Sequence, residues 1–225
     1  MATRNLNGVE IRVVEDPART TAELLIVAAG HVALSGGSAS GPAFELAARL
    51  RPDWSGAHIW FGDDRAVPPD DELSNYRLAK ETLLDRLTVL PEVHRVRGEL
   101  GAEKAADLYD EELARVTLDL ALNGIGPDGH TASLFPGATA LDEHERRAVA
   151  AEAKLEPFVP RVTMTPPAFA EAEVLVYLAT GAEKAEAVAR AFAGEPGEST
   201  PASLVRGRRT IAVLDAAAAA LLPGR

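Results

Sequence analysis

Short runs rich in Val, Ile and Leu alternate along the whole chain with longer alanine-rich stretches, and this alternation limits the fold more than any other feature. The runs at 9–14, 31–34, 57–61, 117–122, 162–165, 174–179 and 210–214 read as strands. Helical patterns occupy 17–29, 41–49, 75–85, 102–115, 182–193 and 216–222, with Ser74, Gly101 and Gly181 at their starts. A strand–helix–strand repeat needs crossover connections, and these lay strands side by side in parallel. The expected fold is therefore α/β, a mostly parallel twisted sheet with helices on both faces. Ligands of such sheets sit at the carboxyl ends of the strands.

At 225 residues the chain can bury a sizeable core, and no repeat or low-complexity linker divides it, so one domain over 1–225 is expected. Cysteine is absent, which excludes disulfides, thiolate nucleophiles and zinc–thiolate sites. The first ten residues are polar where a secretory peptide would be apolar, and no apolar stretch is long enough to span a bilayer, so the expected address is cytoplasmic. A net charge of −11 opposes binding to nucleic acid or to an anionic membrane. A small anion remains compatible, provided cations and backbone N–H groups gather locally against the global field.

Glycine-rich turns follow several of the strands. Leu34-Ser35-Gly36-Gly37-Ser38-Ala39-Ser40 joins a strand to a helix. It reads either as a serine-capped turn or as an anion cradle of backbone N–H groups at a helix start. It matches neither the Walker pattern nor the dinucleotide fingerprint. Phe61-Gly62-Asp63-Asp64-Arg65-Ala66-Val67-Pro68 also follows a strand. It reads either as a solvated charged loop or as carboxylates that position an arginine for bidentate phosphate binding. Beyond it, Ser74-Asn75 reads first as a helix cap.

The richest segment is Asn123-Gly124-Ile125-Gly126-Pro127-Asp128-Gly129-His130-Thr131-Ala132-Ser133-Leu134-Phe135-Pro136-Gly137. Its glycines and prolines impose a tight backbone path that sets an imidazole two residues from a carboxylate. Such a histidine is either a general base that activates water or a residue packed beside a Pro-Asp-Gly turn. Gly181-Ala182-Glu183-Lys184 puts a lysine in a first helical turn, against the helix dipole, as a bound anion would favour and as a solvent-exposed lysine would also allow. His31, His58 and His94 have no evident carboxylate companions in the sequence and are read as ordinary residues, and His144 lies in a charged run. No Gly-x-Ser-x-Gly elbow and no His-Glu-x-x-His helix appears, so neither serine-triad nor zincin chemistry is supported.

Taken together and in this order, these segments resemble the 6-phosphogluconolactonase family over nearly the whole chain. The strongest likeness is Gly-Ile-Gly-Pro-Asp-Gly-His-Thr-Ala-Ser-Leu-Phe-Pro-Gly at 124–137, supported by Asp63-Asp64-Arg65, Ser74-Asn75, Ser35-Gly36-Gly37-Ser38 and Arg161-Val162-Thr163. The family shares its fold with glucosamine-6-phosphate deaminases. Those enzymes resemble Asp-Gly-His-Ile-Ala-Phe-Asn-Glu where this chain has Thr131-Ala132-Ser133-Leu134-Phe135 after the histidine. Two positions depart from the family pattern: Asp64 stands where Glu is usual, and Asn123 where Leu is frequent.

The resemblance implies hydrolysis of 6-phospho-D-glucono-1,5-lactone to 6-phosphogluconate in the oxidative pentose phosphate pathway, without metal or other cofactor. Gly36, Gly37 and Ser38, with Arg65 and Lys184, would hold the phosphate. His130 would take a proton from the attacking water, and either Asp128 or Asp63 would orient its ring. The partner implied is a small sugar-phosphate lactone, with the oligomeric state open between monomer and dimer. An amino-sugar-phosphate isomerase/deaminase and a non-catalytic sugar-phosphate-binding protein are the alternatives.

Overall fold

A computed structural model of the chain describes residues 2–224. It begins with a hairpin of β1 (Ala2–Leu6) and β2 (Val9–Val13), closed at Asn7-Gly8 by left-handed φ values of 47° and 80°. An Asn-Gly pair is suited to that turn because both residues tolerate positive φ. The first apolar run starts at residue 9, so β1, whose residues are mostly polar, is not among the expected strands.

From there strands and helices alternate: α1 (Pro17–Val27), β3 (His31–Leu34), α2 (Ser40–Leu50) and β4 (His58–Phe61). Then come β5 (Asp63–Arg65), α3 (Asn75–Thr82), β6 (Glu92–Val93), α4 (Ala102–Leu113) and β7 (Leu120–Asn123). The last elements are β8 (Ala148–Ala151), β9 (Arg161–Met164), α5 (Pro166–Ala170), β10 (Val174–Ala179), α6 (Ala185–Ala193) and β11 (Arg209–Leu214). The main sheet has the order β1-β2-β11-β10-β7-β3-β4-β6 and is parallel except at the first hairpin.

Each central strand feeds two cores, as the alternation of side chains along a strand requires. In β10, Leu175 and Tyr177 face one apolar layer and Val176 and Leu178 the other. In β4, Trp60 points to the first layer and Ile59 and Phe61 to the second. The first layer is closed by Tyr109 and Leu113 of α4 and by Val188 and Phe192 of α6. The second is closed by Leu25 of α1 and by Phe44 and Ala47 of α2. Each large side chain so buried contributes roughly 1.5–3 kcal/mol. The Tyr109 hydroxyl donates to Phe61 O at 3.0 Å and accepts from Phe61 N at 2.7 Å, which fastens α4 to the end of β4.

Two expectations are corrected. The run expected at 162–165 is not in the main sheet: β9 is the centre of a small antiparallel sheet, β5-β9-β8. Residues 216–222 form turns rather than a helix. There the Asp215 carboxylate takes the Ala218 N–H at 2.7 Å and the Gly181 N–H at 3.0 Å, tying the segment down where a helix would have to propagate. The expected helix at 182–193 opens with a 3-10 turn, Ala182–Lys184, before α6.

Chain order reverses between β3 and β7. Strands after β3 build toward β6, whereas strands after β7 build toward β11 and β2. The turns leaving β3 and β7 consequently diverge to opposite faces and leave a crevice, the usual ligand position in such sheets. No helix among the described residues is long and apolar enough to cross a membrane.

Candidate active site

That crevice is a cleft of about 190 Å³ whose walls include Gly36, Gly37, Asp63, Arg65, His130 and Lys184. The turns after β3, β4, β7 and β10 thus converge as the sheet topology demands. Ser35, Asn75 and Arg161 also line it. Ser38 does not: it is exposed and faces a separate surface depression with Asp16 and Pro42. Asp128 is absent from the cleft wall and lies behind His130.

The imidazole is held from behind. Asp128 Oδ1 lies 2.6 Å from His130 Nδ1 and also accepts the His130 backbone N–H at 3.1 Å. With the carboxylate on Nδ1, that nitrogen carries the ring proton and Nε2 is left as the acceptor. Burial works to raise the Asp128 carboxyl, but the hydrogen bonds from His130 outweigh it and hold the carboxyl below its ordinary value. Phe135 packs against the ring at a centroid distance of 4.6 Å. A Cβ on Gly126 would fall 2.0 Å from His130 Nδ1, so this glycine is what allows the ring to lie against its own loop. Of the two carboxylates proposed to orient His130, it is Asp128 that touches the ring.

Asp63 has different partners. Ser133 Oγ donates to its Oδ2 at 2.6 Å, and Asn75 Nδ2 donates to its backbone oxygen at 2.9 Å. The Asn75 side-chain oxygen in turn accepts from Arg65 Nη1. A Cβ on Gly36 would lie 2.0 Å from that same Asn75 oxygen, so the glycine loop must approach without a side chain. Asn75, expected first as part of a helix cap, therefore braces the arginine. Ser74 is the cap, its hydroxyl accepting Arg77 N at 3.2 Å.

Asp64 points away from the cleft. Its carboxylate accepts from Asn75 N at 2.6 Å, Tyr76 N at 3.0 Å and Arg65 N at 2.8 Å, and from the Ser74 hydroxyl at 3.2 Å. It anchors the α3 N-terminus, where a negative charge and free N–H groups complement each other. Burial nevertheless pushes its carboxyl up to about 6. Asn123 is also buried, and neither polar atom of its side chain has a partner among the described residues.

Arg161 opens the Arg161-Val162-Thr163 motif, and its place in the site comes from register. β5 and β9 pair antiparallel with Arg65 opposite Arg161. Arg161 is 5% exposed, with its guanidinium 5.6 Å from the centre of the Phe135 ring. Burial lowers its pKa and the neighbouring Arg65 charge lowers it further, which marks a site that an anion would relieve. Nothing in the linear sequence pairs these two arginines; only the second sheet does. Lys184 completes the cationic wall from the 3-10 turn before α6.

A family profile described as glucosamine-6-phosphate isomerases/6-phosphogluconolactonase matches residues 12–213. The chain is 37% identical to the 6-phosphogluconolactonase of Mycobacterium leprae over 86% of its own length and 85% of that protein. It is 34% identical to that of Thermotoga maritima, over 79% and 80%. The crystal structure of the Thermotoga maritima 6-phosphogluconolactonase superposes with a TM-score of 0.80 at 31% identity, covering 91% of this chain and 98% of that one. A monomeric glucosamine-6-phosphate deaminase superposes equally well, with a TM-score of 0.80 over 95% and 99%, but at 19% identity, a likeness of fold alone.

Proposed function

The chain belongs to the glucosamine-6-phosphate isomerase/6-phosphogluconolactonase family, and from that premise we propose that its cleft hydrolyses 6-phospho-D-glucono-1,5-lactone by water attack assisted by His130. One observation carries the reading: a histidine whose Nδ1 is occupied by a carboxylate lines the same cleft as Arg65, Arg161 and Lys184, in a chain of net charge −11. The cations and the glycine turn at Gly36 and Gly37 hold the phosphate and so fix the ring. Asp63 and Asn75 brace Arg65, and Asp128 orients His130.

In the reaction, His130 Nε2 removes a proton from water while the water oxygen bonds to the lactone carbonyl carbon. N–H groups of the surrounding loops stabilise the oxyanion of the tetrahedral intermediate. Collapse of that intermediate breaks the bond to the ring oxygen, and the proton held by His130 passes to that oxygen, yielding 6-phosphogluconate. Asp128 stabilises the imidazolium between the two transfers. A positioned base of this kind contributes about 10²–10⁴ in rate. A lactone is already an activated ester, so the residues present suffice for the chemistry. We assign the reaction to the cytoplasm, and to one lactonase domain over 1–225 because turns of the main sheet and Asp63, Arg65 and Arg161 of the small sheet build the cleft jointly.

The test is pH-stat measurement of acid release from freshly made lactone, corrected for spontaneous opening. His130→Ala is expected to lose about 10²–10⁴ in kcat. Full turnover by that variant would remove the base assignment, and release of ammonia from glucosamine 6-phosphate by the wild type would move the chain to the deaminase side of its family.

A further inference from the structure

At the amino ends of β3, β4 and β6, the opposite ends of the strands from the cleft, the structure gathers His31, His58, Glu92 and His94. Parallel register aligns them: His31 lies opposite His58, and His58 opposite Glu92. His94 follows β6 directly, its N–H donating to Ile59 O at 2.8 Å. The lack of carboxylate companions expected for these histidines is thus corrected, because the companions come from neighbouring strands rather than from nearby sequence.

We propose that His58, Glu92 and His94 form a binding site for one divalent transition-metal ion of the zinc class, separate from the lactone cleft. The geometry is that of ligands around a single point. His58 Nδ1 lies 3.2 Å from His94 Nε2, Glu92 Oε2 lies 3.5 Å from His58 Nδ1, and Glu92 Oε1 lies 3.5 Å from His94 Nε2. Ligand atoms at about 2.0–2.1 Å from a tetrahedral ion are roughly 3.3–3.4 Å from one another. The two imidazole nitrogens, and each of them with the Glu92 oxygen that faces it, therefore already stand at separations close to the edges of such a tetrahedron, and one donor atom from each residue lies within 4.8 Å of the other two. Two imidazoles and one carboxylate are a donor set that suits zinc and leaves a fourth position for water.

The surroundings hold the rings in ligand orientation. To present Nε2, His94 must carry its proton on Nδ1, and Glu112 Oε2 lies 3.7 Å from that atom, in the place where a carboxylate supports a metal-bound histidine. The His94 ring stacks on Trp60 at 3.9 Å with an interplanar angle of 4°, and His58 stacks on His31 at 4.5 Å. His31 is itself fixed by Trp60, whose Nε1 donates to its Nδ1 at 2.9 Å. Glu92 is exposed, so an ion can enter from solvent. Bound there, the ion clamps the short edge strand β6 to β4.

The test uses full-length protein freed of metal with a chelator and titrated with ZnCl2 by calorimetry, and with Co²⁺ by visible absorption. The expected result is one ion per chain, a tetrahedral Co²⁺ spectrum and a higher melting temperature with Zn²⁺. Glu92→Gln changes an exposed side chain and keeps the fold, as circular dichroism checks; it weakens binding by at least about tenfold. His58→Gln with Glu92→Gln abolishes binding, and lactone hydrolysis stays at the wild-type rate in both variants. Undiminished affinity in the double variant, or no binding by the wild type, overturns the proposal.

Discussion

Ser133 and Asp63 are 70 positions apart in the chain, and their side chains meet in a 2.6 Å hydrogen bond that ties the His130 turn to the strand bearing Arg65. Both residues are buried. The bond joins the His130 and Arg65 sides of the cleft, and removing one partner leaves the other buried without its mate. Ser133→Ala should therefore cost about 1–3 kcal/mol in urea unfolding. A double-mutant cycle with Asp63→Asn should show coupling of at least about 0.5 kcal/mol. Strict additivity would mean that the two turns are held together by other contacts.

Asp128→Asn should lower kcat far more than it changes KM. The amide can still touch Nδ1, but it no longer favours the tautomer with Nε2 free and no longer stabilises the imidazolium. A loss of roughly 10²–10⁴ in kcat is expected, the range of general-base assistance itself. Steady-state kinetics decide the matter: a raised KM with unaltered kcat would place Asp128 in substrate binding instead.

Arg161→Lys should raise KM for the lactone by roughly tenfold or more, since an ammonium cannot reproduce a planar bidentate contact with phosphate. Inorganic phosphate should inhibit the wild type competitively and the variant more weakly. If phosphate inhibits both equally, the guanidinium is not a phosphate ligand.

Asp64 predicts a pH dependence of stability. Burial pushes its folded-state carboxyl up to about 6, above the ordinary 3.8. The folded protein therefore holds this proton more tightly than the unfolded chain between those values. Stability from this group is full below about 4, declines as pH rises through the window, and is constant above about 6. Asp64→Asn has no such proton, so the stability advantage of the wild type over the variant should be larger at pH 4.5 than at pH 7.5. The difference is at most about 3 kcal/mol. Chemical denaturation at both pH values measures it, and an advantage that grows toward pH 7.5 contradicts the assignment.

Much of this architecture was legible one segment at a time. Alternating apolar runs predicted the strands near residues 31, 58, 174 and 210, and glycine-rich turns marked where the chain leaves them. The Asp128–His130 pair was readable because its members are two residues apart in a constrained turn. Residues whose roles depend on distant partners were not: Asn75 looked like a cap, Asp64 like a second acidic group of the site, and Arg161 like a strand end. The stretch at 216–222 misled in the opposite sense, because helical propensity is local whereas the Asp215 bonds that hold it in turns reach back to Gly181.

The sequence by itself determined most of the strand–helix order, the glycine-rich turns at the strand ends and the histidine beside its carboxylate, since each follows from neighbours a few residues apart. Tertiary structure alone decided that Arg65 lies against Arg161, that Asp63 bonds Ser133, and that His58, Glu92 and His94 share a corner. Register between strands brings those atoms together, and register is set by packing the two apolar layers of the sheet, a property of the whole chain rather than of any window within it.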